Sequence, residues 1–122
     1  MSYPCGFPAK DIVLFINRAN YSEDSLVEVL TFAVGLVGGL SEHRLDVVFI
    51  GDGVTECVSS RLNDTTKPYL TSAKSRGVAF WADKYSLELR GMLEDGLFAG
   101  CAVISPEDLA DLVKKSDMHL RL

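Results

Sequence analysis

The chain has 122 residues, of which 48% are hydrophobic and 24% are charged. That length accommodates one ordinary domain without a second core, and the composition excludes a disordered chain. The 12 basic and 17 acidic residues give a net charge of −5, and no local basic patch stands out. The sequence therefore disfavours nucleic acid as a direct partner.

The apolar stretches and the cysteine spacing indicate where in the cell the protein is expected. No apolar run reaches the ~18 uncharged residues that a membrane span requires, and residues 1–10 lack the apolar core of a signal peptide. Cys5, Cys57 and Cys101 lie far apart with no Cys-x-x-Cys pair, which favours neither a disulfide framework nor a metal site. We expect a cytoplasmic protein without membrane contact, metal or cofactor, with a tail at 1–10 and one domain at 11–122.

The first half of the chain predicts two strands and one long helix. Ile12–Ile16 is an unbroken apolar run, as is typical of a strand covered on both faces, and Val47–Ile50 is a second one. The helix between them starts after an N-cap at Ser22 and ends at residues 38–39, which are both glycine. Its apolar stripe comprises Leu26, Val29, Leu30, Ala33, Val37 and Leu40.

The second half alternates short helices and strands. In chain order these are helix Val54–Ser59, surface loop Ser59–Thr66, helix Pro68–Ser75, strand Val78–Ala82, helix Lys84–Arg90, strand Cys101–Ile104, a helix capped by Ser105, and strand Met118–Leu122. Asp83 can cap the third of these helices, and proline follows Ser105 at the first helical position. In the last strand, apolar residues alternate with His119 and Arg121. This alternation indicates a strand with one solvent-exposed face, at the edge of the sheet.

Strand and helix alternate five times with short connections. This order predicts a three-layer α/β/α single domain with a mainly parallel five-stranded sheet and right-handed crossovers. Ligands bind such sheets where strands end and helices begin. The candidate binding residues are Asn17 and Arg18 after the first strand, Asp52 after the second, and Asp83, Lys84 and Ser86 after the third.

Several candidates also have a purely structural interpretation. Asp52 before Gly53 suits a tight turn, Asp83 suits an N-cap, and Arg18 suits a solvated loop. An alternative function is therefore that of a homo-oligomer that binds a small molecule or an anion through Asn17, Arg18 and Asp52. His43 and His119 are expected at the surface.

The cysteines offer one weak catalytic candidate. We expect Cys57 in the first turns of the helix after the second strand, where the helix dipole favours a thiolate, although Glu56 beside it opposes this. Cys101 starts a strand, so it lies at the end of the sheet opposite to the carboxyl ends of the strands. It is expected to be a small buried hydrophobic residue. Cys5 lies in the tail.

The first predicted helix carries more apolar residues than one sheet contact needs. Val27, Phe32, Val34 and Leu36 fall outside its apolar stripe. Leaving several such side chains in water forfeits about 1.5 to 3 kcal/mol each and promotes aggregation. We therefore predict that another subunit covers them.

The sequence contains no Gly-x-Gly-x-x-Gly motif after the first strand, no P-loop and no Gly-x-Ser-x-Gly motif, but it resembles a known family. Residues 47–54 read VVFIGDGV and residues 85–92 read YSLELRGM. With residues 12–18, 109–113 and 118–122, they resemble the DsrE/DsrF-like family of sulfur-relay proteins, and the DsrF and TusC branch in particular. The resemblance implies a five-stranded α/β fold, assembly into trimers or hexamers, and transfer of persulfide sulfur between proteins in sulfur oxidation or transfer-RNA thiolation.

The resemblance also bears on the sulfur-carrying residue. In the DsrE and TusD branch that cysteine follows the third strand, ahead of a helix that ends in Arg-Gly. In this chain the corresponding residues 82–86 read ADKYS and contain no cysteine, as in the DsrF-like branch. The chain is thus expected to be a subunit of an intracellular sulfur-relay assembly without its own catalytic cysteine. The implied partners are DsrE-like and DsrH-like subunits and a sulfur-carrier protein.

Overall fold

The structure is a computed structural model that describes residues 10–17, 29–33, 35, 43–57, 66–93 and 96–121. In chain order its elements are β1 (Asp11–Ile16), helical residues 29–33 and 35 (α1), β2 (Arg44–Phe49), a 3₁₀ helix (Gly51–Cys57), α2 (Thr66–Ser75), β3 (Ala79–Asp83), α3 (Lys84–Leu89), β4 (Cys101–Ile104), α4 (Pro106–Lys115) and β5 (Met118–Arg121). In the described part of the chain, no helix has both the length and the apolar character needed to cross a bilayer.

The five strands form one sheet in the order β4-β3-β2-β1-β5. Every pair is parallel, so the sheet is parallel throughout rather than mainly parallel. The predicted α/β class and the edge position of the last strand are confirmed. The parallel arrangement brings the carboxyl ends of all strands to the same edge of the sheet.

The strand order determines how the helices divide between the two faces. From β1 to β4 the chain advances one strand at a time, and from β4 to β5 it returns across the sheet. Right-handed crossovers therefore put α1, α2 and α3 on one face and α4 on the other. We call these the packed face and the α4 face.

The packed face holds the main hydrophobic core. Phe98 lies at its centre, edge-on to Phe49 and Phe80 with ring centroids 6.2 and 5.5 Å apart. Around these rings lie buried residues of every element on this face, among them Leu14, Leu30, Leu45, Val54, Leu70 and Leu87. Such aromatic pairs add about 0.5 to 1.5 kcal/mol beyond the burial of their surface.

The α4 face is thinner and more polar. No residue of α4 is buried. Asp46 of β2 is buried at 3% exposure, and its Oδ1 accepts a hydrogen bond of 3.0 Å from Trp81 Nε1 on β3. Arg44 Nε lies 3.7 Å from Asp46 Oδ2. Phe15 packs edge-on against His119 of β5.

The structure corrects the predicted bounds of two strands, β2 and β3. β2 begins at Arg44, three residues earlier than predicted, because the Trp81 hydrogen bond and the Arg44 charge allow Asp46 to lie inside a sheet. Apolar periodicity alone does not extend a strand through Arg44 and Asp46. β3 covers Ala79–Asp83 instead of Val78–Ala82, so Asp83 belongs to the strand as well as capping the helix.

Helix boundaries also shift. The predicted helix Val54–Ser59 is a 3₁₀ helix that starts at Gly51. Thr66, expected in a surface loop, is buried at the start of α2, and residues 58–65 lie outside the described part. The N-cap at Ser105 is confirmed, since its hydroxyl accepts from Asp108 N at 3.2 Å. The predicted start and end of the first helix, Ser22 and residues 38–39, lie outside the described residues.

Candidate functional site

The exit from β2 is held close to the end of β1. Ile50 N donates a 2.9 Å hydrogen bond to Ile16 O, and Gly51 has a φ of 55°, a conformation that favours glycine. A Cβ at Gly53 would collide with the Ile16 carbonyl group. A tight turn is predicted at Asp52 and Gly53, and these residues lie in the first turn of the 3₁₀ helix. Glycine is needed at 51 for its positive φ and at 53 for the close packing against Ile16.

Asp83 and Ser86 join the end of β3 to the exit from β2. Asp83 Oδ2 accepts from Ser86 N at 3.1 Å and from Ser86 Oγ at 2.6 Å, which confirms the predicted N-cap. Ser86 Oγ in turn accepts from Gly51 N at 2.8 Å. Asp83 is 8% exposed, so its carboxylate is committed to contacts within the chain.

Arg90, predicted only as the end of a helix, completes this group. Arg90 Nη2 lies 2.6 Å from Asp52 Oδ1, and Arg90 Nη1 donates to Ser86 O at 3.2 Å. Arg90 belongs to the Leu-Arg-Gly segment, which could have marked it as a candidate. Its contact with Asp52 spans 38 residues of sequence, and residue spacing does not predict such a contact. We call Gly51, Asp52, Asp83, Ser86 and Arg90 the rim cluster.

Of the six candidate binding residues, the structure brings Asp52, Asp83 and Ser86 together. The side chain of Asn17 is exposed, although its backbone oxygen lies near Gly51, and Lys84 is exposed at the start of α3. Arg18 lies outside the described residues. The Asp52 carboxylate of the alternative anion site is already paired with Arg90.

An open depression lies beside Asp83, between the first turns of α3 and α4. Its volume is about 530 Å³, and its lining is Asp83, Tyr85, Pro106, Leu109 and Ala110. Tyr85 is 57% exposed, and Leu89, one turn along α3, is 65% exposed. The rim cluster thus borders a surface that is mainly apolar.

The prediction of an activated Cys57 is wrong. Cys57 is the last residue of the 3₁₀ helix, not part of its first turn, and it is fully buried in the core of the packed face. Burial raises the pKa of the Cys57 thiol, and a hydrogen bond with Cys101 and the charge of Glu56 raise it further. The thiol form is therefore favoured, because desolvation outweighs any helix dipole.

The other cysteines and the histidines occupy varied environments. Cys101 is partly buried and packs against the core, in accord with a small hydrophobe, and Cys5 lies outside the described residues. His119 is exposed, whereas His43 is half-buried and its Nδ1 accepts from Lys10 N at 2.9 Å. Among the residues that the structure describes, no three His, Cys, Asp or Glu side chains are grouped to hold a metal ion.

The parallel sheet and the polar cluster at its strand ends define a small α/β protein with a candidate site at the carboxyl edge of the sheet. Residues 8–122 match the model of the DsrE/DsrF-like family. The chain belongs to the DsrE/DsrF-like family.

Solved structures share this fold. The ychN protein of E. coli superposes with a TM-score of 0.76 at 22% identity, over 93% of this chain and 99% of that chain. The MTH1491 protein of Methanobacterium thermoautotrophicum, described as of unknown function, gives 0.69 at 20% identity over 93% and 99%. The BT1422 protein of Bacteroides thetaiotaomicron, likewise of unknown function, gives 0.61 at 14% identity over 92% and 95%. No curated protein matches the chain.

Proposed function

We propose that this chain is a subunit of a cytoplasmic persulfide-transfer assembly, similar to the DsrF and TusC branch, and that another subunit carries the sulfur. Membership of the DsrE/DsrF-like family supports a function related to sulfur relay. The proposal that another subunit carries the sulfur rests on the identity of the residue at the end of β3. The family's sulfur-carrying branch has a cysteine at this place, and this chain has Asp83.

A carboxylate cannot replace a thiolate in this chemistry. Sulfane sulfur is held on a cysteine sulfur, and the attacking species is the thiolate. Asp83 has no such atom, and Ser86 and the α3 backbone occupy its Oδ2. Among the described residues, the remaining thiols are Cys57, buried in the core, and Cys101, at the amino end of β4. Neither one belongs to the rim cluster.

The surface beside the rim supports a role in assembly. Tyr85 and Leu89 lie one turn apart on α3, and both are more than half exposed. The depression next to them is lined mainly by apolar side chains. On α1, Phe32 is 41% exposed, in accord with the surplus predicted for that helix, while Val27, Val34 and Leu36 lie outside the described residues. We propose that DsrE-like and DsrH-like subunits, or further copies of this chain, cover these surfaces, and that a sulfur-carrier protein docks on the assembly.

Co-expression tests the assembly. The chain is expressed with a DsrE-like chain that has the cysteine after its third strand and with a DsrH-like chain, and native mass spectrometry gives the stoichiometry. We expect a stable hetero-oligomer that Tyr85→Glu and Leu89→Glu weaken at least tenfold, while Thr71→Glu at an exposed position of α2 leaves it intact. A chain that stays apart from both partners contradicts the proposal.

Persulfide loading tests the non-catalytic role. The assembled complex is treated with a persulfide donor, and peptide mass spectrometry locates the added sulfur atom. We expect loading on the DsrE-like subunit, loading of this chain at position 83 in the Asp83→Cys variant, and none there in the matched Asp83→Ser variant. Turnover-competent sulfur on a cysteine of the wild-type chain would overturn the proposal.

A further inference from the structure

Cys57 and Cys101 meet inside the packed face, although 44 positions separate them in sequence. Both thiols are free, and both side chains pack into the same hydrophobic core. The backbone fixes this pairing through Phe98, whose N donates to Cys57 O at 2.8 Å and whose O accepts from Cys101 N at 3.0 Å. Each cysteine is therefore tied by a backbone hydrogen bond to the same buried residue.

The turn that leads into Cys101 is tightly determined. Gly100 has a φ of 93°, and a Cβ there would lie 2.5 Å from Lys74 Cε. Lys74 Nζ donates to Ala99 O at 2.8 Å, which fastens the turn to α2. Cys101 is thus held in position from both sides, since β3 pairs with it on the sheet.

The two thiols differ in their access to solvent. Cys57 is fully buried, whereas Cys101 is only partly buried and starts an edge strand. A dissolved reagent reaches Cys101 before Cys57, because Cys101 is the more exposed of the two. This order of access is that of an attacking cysteine backed by a resolving cysteine.

We propose that Cys57 and Cys101 are a redox pair that closes to an intramolecular disulfide on reaction with a low-molecular-weight disulfide such as oxidised glutathione. This modification site is separate from the rim cluster and does not depend on the proposed sulfur-relay function.

The reaction balances in two exchange steps. Cys101 gives its proton to water, and its thiolate attacks one sulfur of glutathione disulfide, so that the S–S bond breaks and one glutathione thiolate leaves and is protonated. Cys57 Sγ then attacks Cys101 Sγ in the mixed disulfide, and the Cys57 proton passes to the departing glutathione thiolate. The second glutathione leaves. Two protein thiols are oxidised by two electrons, and one glutathione disulfide is reduced to two thiols.

A disulfide between Cys57 and Cys101 would act on the 3₁₀ helix, which bears part of the rim cluster. Cys57 ends the 3₁₀ helix whose first residues are Gly51 and Asp52. A covalent bond to β4 fixes the far end of this short helix to the sheet.

The test uses the full chain with Cys5→Ser, which retains both members of the pair. The reduced protein is incubated with oxidised glutathione, remaining thiols are alkylated, and the protein is digested without reduction. We expect loss of both thiols, a cross-linked peptide containing Cys57 and Cys101, and full reversal by dithiothreitol. Adding Cys57→Ala should arrest the reaction at a stable glutathione adduct on Cys101, and adding Cys101→Ala should leave Cys57 unreacted in the native protein.

Three results would each overturn the proposal. They are a persistent glutathione adduct on Cys101 while Cys57 is present, both thiols still free after an excess of oxidant, and a disulfide between two copies of the chain on a non-reducing gel. If Cys57→Ala fails to fold, as circular dichroism will show, the cross-link assay on Cys5→Ser alone decides, because that variant leaves the core unchanged.

Discussion

The two faces of the sheet are built differently. On the packed face, Phe49, Phe80 and Phe98 are buried among apolar residues of three helices and the 3₁₀ helix. On the α4 face, a single helix without a buried residue lies over a sheet surface that contains the Asp46–Trp81 hydrogen bond. Because each fully buried large apolar side chain contributes about 1.5 to 3 kcal/mol, the stability of the isolated chain resides mainly in the packed face.

The largest expected effect comes from the centre of the packed face. Phe98→Ala removes the ring that contacts both Phe49 and Phe80, and it should lower the free energy of unfolding by about 3 to 5 kcal/mol. Val113→Ala, at a half-buried position of α4, is a smaller truncation on the other face and should cost about 1 kcal/mol. Urea denaturation measures both. Equal losses would contradict the difference between the faces.

Next comes the contact that joins the 3₁₀ helix to the sheet. Gly53→Ala should cost about 1 to 3 kcal/mol, because the new methyl group meets the Ile16 carbonyl and the backbone must shift. Gly35→Ala is the control, since a Cβ there has no atom within 4 Å and the position is helical. It should stabilise the chain by about 0.5 to 1 kcal/mol. Thermal unfolding of the two variants should shift in opposite directions.

Polar groups of the rim cluster should matter less than the core. Asp83→Ala removes the N-cap of α3 and leaves Ser86 without its acceptor, with an expected loss of about 1 to 2 kcal/mol. Asp83→Asn keeps an acceptor oxygen and should recover most of that loss. Chemical denaturation of the two variants is the measurement. An Asp83→Ala variant as stable as the wild type would show that the cap contributes nothing.

The smallest effect is expected at Asp46. Asp46→Ala deprives Trp81 Nε1 of its acceptor, but Trp81 is only half-buried and water can replace part of the bond, so we expect about 1 kcal/mol. Trp81 is the sole tryptophan, and its emission should shift to longer wavelength as water enters. Asp46→Asn retains an acceptor and should leave the emission unchanged. An equal shift in both variants would mean that charge, not the hydrogen bond, controls the environment of Trp81.

Sequence patterns predicted the elements better than the site. The apolar run Ile12–Ile16, the Ser105 cap and the edge strand were all predictable, because each depends on neighbours within a few residues. β2 was predicted too short, because Asp46 depends on Trp81, 35 residues away. Arg90 was missed for the same reason, since its partner Asp52 lies on another element.

Cys57 shows the limit of local reasoning about chemistry. Its place after a strand suggested a thiolate, because helix dipoles are inferred from sequence order. Burial in the core and the neighbouring Cys101 raise the pKa of Cys57 instead, and both follow from how distant segments pack. Desolvation depends on the whole surroundings of a group, which no single segment of sequence specifies.

By itself, the sequence determined the α/β alternation, the caps at Asp83 and Ser105, and the absence of cysteine after β3. These features are local, since they depend on periodicity, on turn chemistry or on the identity of one residue. Only the tertiary structure decided that Asp83, Ser86 and Gly51 share hydrogen bonds, that Arg90 pairs with Asp52, and that Cys57 meets Cys101. The contacts of the rim cluster arise because a parallel sheet aligns the carboxyl ends of strands that are distant in sequence. The two cysteines come together because both hydrogen-bond to the backbone of Phe98.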